Sequence, residues 1–222
     1  MGKADRFAEL QSARAEALAA RVSELISLRD VGRALDVGTG TGAFAFAIAP
    51  HVDEVVAIDS DAAMVERARA DAPANVEIVV GDAESLPFGP MEFDLVGTLR
   101  TLHHARRPEL IVAEISRVAR LGATVLVVDQ LAPVDPLAAL ELNRFERARD
   151  PSTTRLLADN DLRALFDSNG LVLRQAKIEQ EERDVDDYLD LAGCAGGERE
   201  RARSMAPKGY RADLGWYVLT RA

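Results

Sequence analysis

The spacing of apolar residues changes period along the chain, and each change marks the edge of an element. Phe7, Leu10, Leu18, Val22 and Leu25 recur near helical spacing and predict an amphipathic helix over residues 4–28. The pattern then shortens to the apolar run Ala34-Leu35-Asp36-Val37, breaks into Gly38-Thr39-Gly40-Thr41-Gly42, and resumes as a helix from Ala43 to Ala49. Strand, glycine turn and helix in that order open a nucleotide-binding unit. The alternation continues with strands at Glu54 to Ile58, Val76 to Val80, Phe93 to Thr98 and Thr124 to Val128. One intervening helix runs from Asp61 to Asp71, capped by Ser60 or Asp61. Another opens at Pro108-Glu109, places Ile111, Ile115 and Val118 on one face, and ends at Gly122. Strands separated by helix-sized stretches predict right-handed crossovers and a parallel sheet.

Beyond Asp129 the rhythm loosens. Asp135-Pro136 reads as the cap and first turn of a helix to about Arg147, and Arg149-Asp150-Pro151-Ser152 as a turn or loop. Leu162, Leu165 and Phe166 mark a further helix with Gly170 as its terminator, and Leu171 to Ile178 and Leu214 to Thr220 are the last strands. Between those strands an acidic run (Glu179 to Asp187) precedes a basic, glycine-containing one (Gly196 to Arg211), and both read as solvated surface. Residues 1–222 are therefore expected to form one domain. Its core would be 33–129, its cap 1–30 and 130–170, and its C-terminal strands, with an insertion, 171–222.

Composition narrows the classes of partner. Hydrophobic residues make up 48% of the chain and charged residues 29%, enough for a full core. Acidic residues outnumber basic ones by 37 to 27, a formal net charge of −10, which repels nucleic acid and anionic membrane surfaces. The single cysteine, Cys194, excludes an intramolecular disulfide and a multi-cysteine zinc site, and no metal centre is expected. Charged residues interrupt every apolar stretch from Met1 to Leu28, so no secretory signal is expected, and no run approaches membrane-spanning length. A cytoplasmic protein, monomer or homodimer, fits these features.

Candidate chemistry begins at Asp36-x-Gly38-x-Gly40-x-Gly42. Glycines allow positive φ and let the backbone approach a ligand, while the next helix points free N–H groups into the turn. The glycines alternate strictly, unlike the dinucleotide fingerprint, which leaves two residues before its last glycine. Residues 35–133 resemble the methyltransferase family that includes the ubiquinone and menaquinone C-methyltransferases and many small-molecule O- and N-methyltransferases. Leu35 to Gly42 is similar to that family's first motif, and Gly81-Asp82-Ala83-Glu84-Ser85-Leu86-Pro87-Phe88 to its adenine-facing segment. Phe93-Asp94-Leu95-Val96 followed by Leu102-His103-His104 resembles its fourth-strand motif. The resemblance implies a Rossmann-like, doubly wound α/β fold with a mostly parallel seven-stranded sheet, an antiparallel last strand and a small helical cap. It implies S-adenosylmethionine as cofactor, leaving as S-adenosylhomocysteine. Asp59 would grip the ribose hydroxyls and Asp82 would face the adenine amino group. Asp36, Gly38, Thr39, Gly40, Gly42, Ser60, Met64, Ala83, Glu84 and Leu99 would line the rest of the cofactor site.

The implied reaction moves a methyl group to an oxygen, nitrogen or carbon atom of a small organic acceptor. His104, preferred over His103, is the candidate to orient or deprotonate it; His51, the third histidine, belongs to the end of the first core helix. Arg100, Asp129 and Arg149 are candidate acceptor-binding residues. Arg100 serves equally well as a salt-bridge partner, and Asp129 as a base. Two rivals share the fold. A nicotinamide-dependent oxidoreductase would use Asp59 in the same way, but this chain has neither the glycine spacing nor the Tyr-x-x-x-Lys pair of such an enzyme, and that reading would leave Gly81-Asp82-Ala83 unexplained. A non-catalytic S-adenosylmethionine-binding protein would need no base.

Overall fold

The computed structural model describes residues 15–222. Phe7 and Leu10, part of the expected N-terminal helix, lie outside them. Within them the strands are β1 (Arg33–Val37), β2 (Glu54–Asp59), β3 (Val76–Val80), β4 (Phe93–Leu99), β5 (Ala119–Gln130), β6 (Leu171–Glu182) and β7 (Arg211–Arg221). The helices are α1 (15–25), α2 (Ala43–Ile48), α3 (Ala62–Ala70), α4 (Pro108–Val118), α5 (Pro136–Arg149), α6 (Asp159–Ser168), α7 (Val185–Leu191) and α8 (Gly196–Met205). The strand order is β3-β2-β1-β4-β5-β7-β6, with β7 antiparallel to both neighbours and the other strands running one way. This is the doubly wound α/β sheet with an antiparallel last strand that the sequence implied. No helix among the described residues is long and apolar enough to cross a membrane.

Side chains alternate between two cores because successive residues of a strand point to opposite faces. Leu35, Val56, Ile58, Val96, Val125, Val127, Tyr217 and Leu219 pack with α4 and α6 on one face. Ala34, Val55, Ala57, Leu95, Leu126, Val128 and Trp216 pack with α1, α2 and α3 on the other. Burial on both faces explains why the inner strands read as unbroken apolar runs. The helices start where the sequence signals: Asp61 accepts hydrogen bonds from the N–H groups of Ala63 and Met64, and Asp135 from Ala138, each cap contributing about 1 kcal/mol.

Three expectations are corrected. Helix α4 ends at Val118, not at Gly122; Ala119 already pairs with Phe93, and Gly122 (φ +80°) lies in an irregular stretch before Thr124 pairs with Leu95. Strand pairing thus overrides the glycine stop signal. The last hairpin is also longer than its apolar residues suggest. Glu179–Glu182 pair with Arg211–Leu214, since an edge ladder needs backbone partners rather than apolar side chains.

The third correction concerns residues 183–212, which are not simply solvated surface. The acidic run supplies α7 and the basic run supplies α8, and the two neutralise one another. Arg199 pairs with Asp186 and Asp190, and Arg203 with Asp186. Beneath these pairs Tyr188, Leu189, Ala202 and Tyr210 pack with Leu142 and Phe145 of α5 as a third core. The cap is therefore α5 with α7 and α8. Helix α6 and the described part of α1 lie in the layers against the sheet.

Candidate functional site

Parallel strands bring their C-terminal ends to one edge of the sheet, where crevices for ligands form. Register places Val37 opposite Ile58, Asp59 opposite Val80 and Leu99 opposite Val128. The ends of β1, β2, β4 and β5, which hold Asp36, Asp59, Leu99 and Asp129, share that edge with the segments that follow β1 to β4, and together they carry every candidate site residue except Arg149.

The glycine loop is fastened from below. The N–H groups of Gly38 and Thr39 donate to the Ile58 carbonyl at 2.8 and 3.0 Å. Gly38 has φ +73°, and a Cβ there would stand 2.2 Å from Cγ2 of Thr101, so only glycine allows the β4 end to close on the loop. Thr101 Oγ1 lies 3.2 Å from the Gly38 carbonyl and clips that contact. Gly40 differs: it too has positive φ (+55°), but nothing lies within 4 Å of where its Cβ would be. Its N–H donates to Oδ2 of Asp59 at 2.7 Å, while Asp59 Oδ1 accepts from Asp61 at 2.9 Å. The loop and the acidic end of β2 are thus one rigid unit facing open space, and that cradle fits a nucleoside-bearing ligand.

Asp36 is 1% exposed beneath the loop. Its Oδ2 accepts from Thr39 Oγ1 (2.7 Å) and Ala45 N–H (3.1 Å). Burial pushes its carboxyl up to about 7 in spite of both donors. Asp82 is exposed and forms a local turn through Glu84 N–H (2.8 Å), with Ala83 packed against the core beside it. Glu84 is occupied: Arg107 holds its carboxylate at 2.7 Å, tying it to the start of α4. Leu99 is half-buried, Met64 is 43% exposed in the first turn of α3, and Ser60 is exposed.

The two histidines differ sharply. His103 is buried, with Nδ1 2.5 Å from Oδ1 of Asp129 and its backbone N–H 3.2 Å from Oδ2. Its Nε2 has no hydrogen-bond partner among the described residues. His104 Nδ1 lies 3.0 Å from Ser152 Oγ, which in turn donates to Asp150 at 2.6 Å. Burial, with the adjacent His103 ring adding to it, holds the His104 imidazole below its ordinary value.

Both candidate arginines have protein partners. Arg100, in the left-handed region at φ +57°, meets both carboxylate oxygens of Glu181 at 3.0 and 3.1 Å. Arg149 donates to Glu146 at 3.0 Å and stacks 4.1 Å from the Tyr188 ring centroid, within the cap. Sequence reasoning passed over Thr101, Ser152, Glu181 and Glu146. The Arg149–Ser152 stretch was visible as a turn, but nothing local signalled its contact with His104, and nothing local ties the other three to the site.

Known proteins share this domain and fold. The profile of the methyltransferase domain family matches residues 35–127. The uncharacterized methyltransferase YcgJ of Bacillus subtilis is 36% identical over 143 residues, 63% of this chain but only 56% of YcgJ. The 27-O-demethylrifamycin SV methyltransferase of Amycolatopsis mediterranei is 30% identical over 202 residues, 88% of this chain and 71% of that protein. The crystal structure of YcgJ matches with a TM-score of 0.81 and 26% identity over 93% of this chain and 99% of that one.

Proposed function

Because this chain belongs to the class I S-adenosylmethionine-dependent methyltransferase family, we propose that it transfers a methyl group from S-adenosylmethionine to an oxygen, nitrogen or carbon atom of a small organic acceptor. The observation that carries the reading is the Gly40–Asp59 unit, a backbone donor and a carboxylate locked together at 2.7 Å against open space. Asp59 retains acceptor capacity for two ribose hydroxyls, and Asp82, two residues beyond β3, for an exocyclic amino group. The glycine loop admits close backbone approach, and Asp36 beneath it ties the loop to the start of α2 by accepting from Thr39 Oγ1 and Ala45 N–H.

When bound, the cofactor supplies an electrophilic methyl group on a sulfonium, so the protein contributes alignment, exclusion of water and proton removal. We assign the base to His103 rather than to its neighbour. Asp129 holds the ring through Nδ1, which leaves Nε2 to take the acceptor proton, and the carboxylate then stabilises the imidazolium. The β5 end carrying Asp129 stands two strands from β1, about 10 Å at ordinary strand spacing.

Calorimetric titration with S-adenosylmethionine, S-adenosylhomocysteine and NADH tests the reading. Binding of the first two, lost in Asp59→Ala, is the expected result. Binding of NADH alone would refute it.

A further inference from the structure

Helices α5 and α8, with the turn between α7 and α8, line a half-open cavity of about 360 Å³ on the cap, away from the glycine loop. Arg144, Arg147 and Arg201 line it, and no carboxylate forms a salt bridge with any of them among the described residues. Arg147 spends one N–H on the Thr154 carbonyl at 3.1 Å, and the fourth lining arginine, Arg149, is turned inward to Glu146. The wall carries one acid, Glu198. Three guanidinium groups unmatched by carboxylates stand out in a chain of net charge −10, whose arginines elsewhere in the cap are paired. All three are exposed, so solvent screens their mutual repulsion, and together they give the cavity mouth a positive potential that draws an anion. Ala148, Ala192 and Met205 are apolar members of its lining.

We propose that this cavity seats the anionic end of a small molecule, a phosphate or carboxylate attached to an apolar body. A planar guanidinium matches both anions in bidentate geometry, and the volume is that of a small-molecule site rather than of a protein interface. The proposal stands apart from the methyl-transfer reading, since no residue of the cavity belongs to the Gly40–Asp59 unit or to the His103–Asp129 pair.

Titration with phenyl phosphate, benzoate and inorganic phosphate tests it on the full chain, with S-adenosylhomocysteine binding as the check on folding. The expected result is that phenyl phosphate or benzoate binds more tightly than inorganic phosphate. The double variant Arg144→Ala/Arg201→Ala weakens that binding about tenfold or more, as loss of a charge-assisted contact does. Removing the opposing charge in Glu198→Gln strengthens it, a readout that does not depend on the double variant folding. Tighter binding of phenyl phosphate than of benzoate assigns the anion as phosphate, and the reverse as carboxylate. The proposal is overturned if neither aryl anion binds saturably, if binding survives the double variant, or if Glu198→Gln leaves it unchanged.

Discussion

Asp129 grips His103 twice, through ring Nδ1 at 2.5 Å and through the backbone N–H at 3.2 Å. The double contact fixes both the orientation and the tautomer of a ring whose Nε2 is left for the acceptor. Asp129→Asn and His103→Ala are therefore expected to lower the rate of methyl transfer by about 10²–10⁴-fold, the usual weight of a positioned base. S-adenosylhomocysteine binding should stay near that of the wild type. His104→Ala, which removes the link to Ser152 and the ring contact with His103 but leaves the Asp129 contacts intact, should have a much smaller effect. Single-turnover transfer of a labelled methyl group separates the cases, and a larger loss in His104→Ala than in His103→Ala would reverse the assignment.

Gly38 and Gly40 make opposite predictions from the same motif. Gly38→Ala drives Cβ into Thr101 at positive φ, so it should destabilise the fold by about 1–3 kcal/mol or more. Gly40→Ala meets no atom within 4 Å and should cost only about 1 kcal/mol of backbone strain. It should nevertheless weaken cofactor binding more, because its methyl group projects into the space left for the ligand. Thermal melts beside calorimetric titrations test both halves of the contrast.

Asp36 gives the ligand-free protein a pH dependence of known sign. Its carboxyl is raised from 3.8 to about 7 by burial, so the native state holds a proton that the unfolded chain releases. This contribution to stability is complete below about pH 4 and is lost as the pH rises through about 7. In Asp36→Asn one amide oxygen can still accept from Thr39 and Ala45, since both donors share Oδ2. The variant should therefore lose less stability than the wild type between about pH 5 and pH 8. Melting temperatures across that range decide, and an equal or steeper decline in the variant would contradict the argument.

Glu146 anchors the cap. It is 2% exposed and is met by Gln130 (2.9 Å), Arg149 (3.0 Å), Tyr188 (3.1 Å) and the Tyr210 hydroxyl. Burial, with the Glu146 charge adding to it, pushes the Tyr188 hydroxyl up to about 12, so it remains a donor. Glu146→Ala leaves a largely buried arginine unpaired and should cost about 3–5 kcal/mol. Asp186→Ala, which breaks half-exposed pairs, should cost about 1 kcal/mol or less. Hydrogen exchange should show α5, α7 and α8 loosening together in Glu146→Ala while the sheet stays protected.

The core was legible because its signals are local. Short, unbroken apolar runs mark the inner strands, Asp61 and Asp135 cap their helices, and Gly38, Gly40 and Gly42 all adopt the positive φ that their residue type permits. The C-terminal third was less so. Runs of like charge look the same whether they meet water or each other, and only the packing of α7 on α8 pairs Asp186 with Arg199.

By itself, then, the sequence determined the order of the strands and of the helices as far as α6, the edge on which the glycine loop and the acids that follow β2 and β3 stand, and the family. Each of these depends on residues close together in the chain or on the direction of a parallel strand. Only the tertiary structure decided which histidine has a carboxylate partner, that Arg100 faces Glu181, and that α7 and α8 complete the cap. Asp129 is 26 residues from His103 and reaches it only because β5 pairs with β4 in a register that sets Val128 beside Leu99. Glu181 reaches Arg100 only because the edge hairpin folds back over the same end of the sheet. Such contacts are set by strand pairing and packing between distant segments, which no local pattern of residues encodes.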